Sequence, residues 1–237
     1  MNAVANRRNI EVTKVAHLQG HKGAIYDFVI DKSTEMVYTA GADGVVAAWH
    51  ADETNGTSIL QTDEPIYSIA LRNGRLKLGS QNGVIYTIDL ESKQLLSKVK
   101  VHEGGIFFIL DNLSGGEDGI LSIDNTKIRI SESSLRCLLE LEHEWIIGSS
   151  DAKIYRISKS DFSVIGILEG HTNSVFGLTR VDDFTLISTG RDALIKAWDL
   201  KINKEVHSVP AHMYQAKSLD YNGDLLLSSS MDKTIKV

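Results

Sequence analysis

The sequence predicts an all-β protein assembled from about six copies of one unit. Three observations carry this. First, histidines mark a regular interval: Gly20-His21 is matched by Gly170-His171, His212 follows His171 by one interval, and His102 follows His21 by nearly two. Second, tryptophans keep step, since Trp49 trails His21 by almost the same distance as Trp198 trails His171. Third, short apolar runs alternate with tight-turn pairs along the chain. Self-similarity at a fixed interval of roughly 40 residues is the mark of a repeat architecture.

The strands follow in order from the apolar runs Ile25–Ile30, Val45–Trp49, Ile66–Leu71, Val84–Ile88, Ile106–Leu110, Ile154–Ile157, Val175–Leu178, Leu194–Trp198 and Leu225–Leu227. Each is too short for a typical helix, and turn residues bound most of them. Asp43-Gly44, Asn55-Gly56, Asn73-Gly74, Asn82-Gly83, Asp118-Gly119 and Asn222-Gly223 favour tight hairpins, because both residues of such pairs tolerate positive φ. The two prolines, Pro65 and Pro210, sit near expected junctions between units. Six units are expected, at 21–61, 62–101, 102–134, 135–170, 171–211 and 212–237, after an N-terminal tail at 1–11. His102 and His171 stand closer together than two full intervals require. The fourth unit therefore reads as compressed, with Ser131–Glu144 lacking a strand or making a very short connection.

Composition narrows the function classes. Lys and Arg number 25 against 31 Asp and Glu, a net charge of −6, whereas general nucleic-acid binding needs a basic face. The expectation is therefore no nucleic-acid partner. No apolar stretch approaches the roughly 18 residues that span a bilayer, so no membrane partner is expected either. The single cysteine, Cys137, lies in the apolar run SLRCLLEL and reads as a small buried hydrophobe rather than a nucleophile. One cysteine permits a reducing compartment, and a cytoplasmic monomer is expected. His17, His50, His143 and His207 show no metal-ligand spacing, and GGED at 115–118 lacks the Lys and Ser/Thr of a phosphate loop. Neither metal nor cofactor is expected.

A period of about 41 residues with an opening Gly-His, a turn Asp and a closing Trp-Asp resembles the WD-repeat β-propeller family. The fifth unit carries the resemblance best, with GHTNSVFGL at 170–178, LISTGRD at 186–192 and ALIKAWDL at 193–200. The first matches with GH at 20–21, YTAGADG at 38–44 and VVAAWH at 45–50, and the sixth ends in SSSMDKTIKV. The third is recognisable mainly by position.

The resemblance implies an all-β propeller of four-stranded antiparallel blades. It also implies a buried polar clamp in which the loop histidine bonds the turn aspartate and a strand hydroxyl, and that hydroxyl meets the indole N–H. The clamps would be His21, Thr39, Asp43 and Trp49 in the first unit, and His171, Ser188, Asp192 and Trp198 in the fifth. The sixth would hold His212, Ser228 and Asp232. The second unit has Leu78 in place of the hydroxyl and Asn82 for the aspartate, and the fourth has Ile147 with Asp151 retained. Those two blades are expected to lack the clamp and depend on apolar packing. His171, Ser188 and Asp192 are the residue types of a hydrolase triad, but their recurrence with the repeat assigns them to structure. Family architecture also makes Val12–Leu18 the outer strand of the last blade. The ring would be either six complete blades or a truncated ring of seven, and the second is favoured because the expected closing tryptophan is missing.

Binding is expected on the loop face and at the channel mouth. The residue after the first core aliphatic of each innermost strand should lie at that mouth: Tyr26, Tyr67, Phe107 and Phe176, with Lys217 in the sixth unit. These aromatics form either a cup for an extended peptide or basic side chain, or a plug in the channel. The residue before the turn aspartate should face the same way, which gives Ala42, Gln81, Ser150, Arg191 and Met231, with Arg191 and Met231 as contacts. The expected function is a non-catalytic protein–protein interaction scaffold with protein or peptide partners. The alternative is a propeller enzyme of hydrolase or lactonase type with its site on the axis.

Overall fold

Side chains that alternate between two buried environments favour β-strands packed on both faces. The chain forms such strands throughout. The computed structural model describes residues 13–14, 17–50, 52, 55–124 and 126–237. Six antiparallel sheets result. The first blade is β1 (Ile25–Asp31), β2 (Met36–Gly41), β3 (Val45–His50) and β4 (Thr57–Gln61). The second is β5 (Ile66–Arg72), β6 (Arg75–Ser80), β7 (Val84–Asp89) and β8 (Gln94–Lys100). The third is β9 (Ile106–Leu110), β10 (Leu113–Gly116), β11 (Ile120–Ile123) and β12 (Thr126–Arg129). The fourth is β13 (Leu135–Glu140), β14 (Glu144–Ser149), β15 (Lys153–Ser158) and β16 (Val164–Glu169). The fifth is β17 (Val175–Arg180), β18 (Thr185–Gly190), β19 (Leu194–Asp199) and β20 (Lys204–Pro210). The sixth holds three strands among the described residues, β21 (Ala216–Tyr221), β22 (Leu226–Ser230) and β23 (Ile235–Lys236).

Within each blade the strands lie in sequence order, and the first strands pack in succession, β1 on β5, β5 on β9, and so on to β21. This is a six-blade β-propeller. Apolar clusters fill the spaces between neighbouring blades: Tyr38 and Ala40 of the first meet Ile66, Ile69 and Leu78 of the second, and Ile146 of the fourth meets Val175 and Trp198 of the fifth.

The shortened unit is the third rather than the fourth. Innermost strands begin at Ile25, Ile66, Ile106, Leu135, Val175 and Ala216, so the one short interval is that opened by β9. Strands β10, β11 and β12 have only four residues each, and Asp111 and Asn112 alone make the first turn. The stretch Ser131–Glu144 has no missing strand, since β13 occupies Leu135–Glu140. Of Val12–Leu18, residues 12, 15 and 16 lie outside the described residues, and the remainder forms no strand.

Among the described residues, nothing covers one flank of the first blade. Ile66 and Ile69 are buried against the blade before them, whereas their counterparts Ile25 and Phe28 are 52% and 60% exposed, with Ile30 at 51%. Among the described residues, blade six offers β1 no comparable contact. Its own outward flank carries Ser218, whose hydroxyl bonds that of Ser229 at 2.9 Å, and the exposed Asp220.

Candidate binding surface at the channel mouth

Polar clamps hold the loops in place. In the fifth blade the Trp198 indole N–H donates to the Ser188 hydroxyl at 2.7 Å. The same hydroxyl bonds His171 Nε2, also at 2.7 Å. His171 Nδ1 faces the Asp192 carboxylate, which only accepts, so Nδ1–H donates to it at 2.7 Å. The first blade repeats the chain through Trp49, Thr39, His21 and Asp43, with bonds of 2.7, 2.7 and 3.0 Å. In the sixth, His212 bonds Ser228 and Asp232, both at 2.9 Å.

The third blade contains a clamp that sequence reasoning missed. His102 Nδ1 donates to Asp118 at 3.0 Å, and its Nε2 meets Ser114 at 2.9 Å. The signal was present, since Ser114 precedes Asp118 by the same spacing as the hydroxyl and aspartate of the other clamps. Burial works to raise the carboxyls of Asp43, Asp118 and Asp192, but the histidine N–H and nearby backbone amides hold each below the ordinary range. Asp232 is held low chiefly by the Thr234 hydroxyl. Burial depresses His102, against the pull of Asp118.

Blades two and four do not rest on apolar packing alone. Where Leu78 removes the strand hydroxyl, Tyr86 from the facing strand supplies one and donates to Glu64 at 2.8 Å. Glu64 also accepts the Asn82 amide at 3.0 Å, as the histidine-aspartate pair would anchor that turn elsewhere. In blade four Tyr155, opposite Ile147, donates to Asp151 at 2.6 Å, and Ser131 donates to the same oxygen at 2.7 Å.

A second repeated bond fixes the mouth. In all six blades the residue before the turn position donates its amide to the carbonyl just ahead of the innermost strand. The pairs are Ala42 to Ala24, Gln81 to Pro65, Glu117 to Gly105, Ser150 to Ser134, Arg191 to Ser174 and Met231 to Gln215, at 2.8–3.1 Å. The turn residues and the first residues of the innermost strands are therefore held side by side around the axis.

Their side chains form a continuous arc. Tyr26 meets Tyr67 edge-on at 5.2 Å, and Tyr67 stacks on Phe107 at 5.6 Å. The Arg136 guanidinium lies 4.2 Å over the Phe107 ring and 6.0 Å from that of Phe176. Lys217 Nζ lies 4.4 Å from the Phe176 ring centroid. Arg136 occupies in blade four the position that Tyr26, Tyr67, Phe107, Phe176 and Lys217 occupy in theirs, and sequence reasoning passed over it. Its Nε donates to the Ser150 hydroxyl at 2.7 Å, which aims the guanidinium across the mouth. Tyr26, Arg191, Lys217 and Met231 are exposed, while Tyr67, Phe107, Arg136 and Phe176 are half-buried.

Elsewhere, burial pushes the Cys137 thiol up to about 12 as it packs under Val175. Among the described residues no group of three or more His, Cys, Asp or Glu side chains is placed to hold a metal ion. No helix among them is long and apolar enough to cross a membrane.

Blade architecture, clamp and repeat length together define a class, and the chain is a six-blade β-propeller with WD-type repeats. Residues 12–50, 162–199 and 203–237 match the WD domain, G-beta repeat family. Among curated relatives, it is 26% identical over 221 residues to the ribosome biogenesis protein YTM1 of Candida albicans, covering 82% of this chain and 46% of that one. It is 25% identical over 204 residues to the striatin homolog of Dictyostelium discoideum, covering 81% of this chain and 22% of the other. The chain thus spans less than half of these relatives' lengths. Among solved structures, the WD40 β-propeller domain of Doa1 superposes with a TM-score of 0.76 at 15% identity, covering 88% of this chain and 76% of that one. The computationally designed Ika8 protein gives 0.77 at 19%, covering 94% and 73%.

Proposed function

We propose that the chain is a non-catalytic scaffold that binds a partner peptide or protein at the channel mouth. The observation that supports this is the arc from Tyr26 to Lys217, to which every blade contributes one large aromatic or cationic side chain at the same structural position. Such side chains dominate the energetics of protein interfaces. The non-catalytic part of the reading rests on the hydroxyls. Ser188 is fully buried and engaged by both His171 and Trp198, so it has no path to a substrate. Two curated relatives are named for ribosome biogenesis and for THO complex membership, which fits action within assemblies. The reading includes a monomer in a reducing, cytoplasmic setting, which a single cysteine permits.

The test is quantitative affinity purification with wild type beside Tyr26→Ala and Phe176→Ala. Partners lost by both variants while their thermal midpoints hold support the reading. An unchanged partner list from folded variants sinks it, and a collapse of both midpoints assigns the rings to channel packing instead.

A further inference from the structure

Three cations converge on this mouth from adjacent blades: Arg136, Arg191 and Lys217. Among the described residues none of them is within ion-pair distance of a carboxylate. The carboxylate that acts on Arg136 is that of Glu117, which is turned to the Gly105 amide at 3.2 Å. Partial loss of hydration lowers the pKa of both Arg136 and Lys217. Arg191 adds to this at Arg136, and Arg136 and Arg191 add to it at Lys217. Like charges held together and partly stripped of water are unfavourable unless an anion joins them.

The rings also cannot serve as a free cage for a basic side chain. Phe107 and Phe176 already carry Arg136 and Lys217 on their faces. The cations are thus pre-positioned by stacking, and the aromatic half of the arc, Tyr26 with Tyr67, stays open beside them. The chain as a whole carries a net charge of −6, so this basic arc is a local feature set against an acidic body.

We propose that the mouth recognises an acidic segment of a partner protein. A carboxylate of the segment sits among Arg136, Arg191 and Lys217, and an adjoining apolar side chain lies on Tyr26 and Tyr67. This rests on the preceding reading of the mouth as a peptide-binding surface and adds the chemistry of the ligand. A polypeptide fits better than a nucleic acid, because the cations occupy one spot rather than a stripe that follows a phosphate backbone.

The experiment is selection of random dodecapeptides displayed on phage against the full chain. Anisotropy titration of the selected peptides follows, with a mixed-sequence single-stranded RNA as a second probe. Enrichment of Asp and Glu is expected, with affinity falling about 10-fold or more in Arg191→Gln/Lys217→Gln and falling with added salt. Both side chains are exposed, so the fold is expected to persist, and Arg191→Glu gives a second folded variant in which acidic selection should weaken. Selected peptides that are neutral or basic, yet still need Tyr26, overturn the acidic preference while leaving the mouth as a peptide site. Peptides indifferent to every mouth substitution, or no selected peptide at all, overturn both. RNA binding tighter than any peptide with the same dependence on these cations assigns the arc to nucleic acid and overturns the proposal.

Discussion

The Tyr86 hydroxyl donates to Glu64 at 2.8 Å in the blade where Leu78 has removed the usual hydroxyl. Donor and acceptor have both moved, one to the next strand and the other into the preceding loop, yet the same turn is pinned. Burial and the Glu64 bond push the Tyr86 hydroxyl up to about 12. Tyr86→Phe should cost about 1–2 kcal/mol by urea denaturation. A double-mutant cycle with Glu64→Gln should recover most of that as coupling, and strict additivity would show that the bond carries nothing.

In the fifth blade the same logic is more severe. Ser188→Ala leaves the Trp198 indole N–H and His171 Nε2 without their shared partner in a fully buried site. A loss of about 2–4 kcal/mol is expected. A loss as small as that of Tyr86→Phe would mean that water takes over the role.

His102 sets an acid-side dependence. Its folded pKa lies below the ordinary value because of burial. The unfolded chain therefore takes up the extra proton first, at about pH 6.5. Stability from this residue is complete above that value and is lost as pH falls through the folded one. The denaturation midpoint should drop between about pH 7.5 and about pH 5.5, and His102→Gln should flatten that slope. The depressed carboxyls of Asp43, Asp118 and Asp192 act later, below about pH 4.

The turn after the clamp aspartate, or its counterpart, is left-handed in every blade. Gly44, Gly83 and Gly119 occupy it at φ of 71°, 77° and 70°, and Ala193 does so at 64°. A left-handed L-residue costs about 1–2 kcal/mol, offset by about 0.5–1 kcal/mol from the freer unfolded state of glycine. Ala193→Gly should thus gain about 0.5–1 kcal/mol in chemical denaturation. Gly83→Ala should lose stability, since its Cβ would run into the His102 carbonyl oxygen.

The uncovered flank of blade one should bind an apolar dye. Phe28→Asp is expected to lower anilinonaphthalene sulfonate fluorescence and raise soluble recovery with little change in thermal midpoint, because the side chain is already 60% exposed. Unchanged dye binding would mean that the flank is covered in solution.

Periodic residues of strong identity made most of this fold readable in advance. His21, His171 and His212 with their aspartates and hydroxyls recur because each buried polar group needs its partner at one fixed offset. The Tyr86–Glu64 and Tyr155–Asp151 bridges kept no such offset, since their hydroxyls come from a different strand. Arg136 and the Ser114–Asp118 clamp were obscured by the short third blade, which broke the ruler just where both lie. Once the shortening is placed between β9 and β13, the rule that found Tyr26 also finds Arg136.

Among the described residues, the facing flanks of blades one and six are chemically unlike, Phe28 and Ile30 exposed on one and Ser218 and Asp220 on the other. Drawing the ends together would press hydrocarbon onto a carboxylate and strip its water for no compensating bond. A surface that reached both flanks would have to be two-sided, greasy where it meets the first blade and hydrophilic where it meets the last.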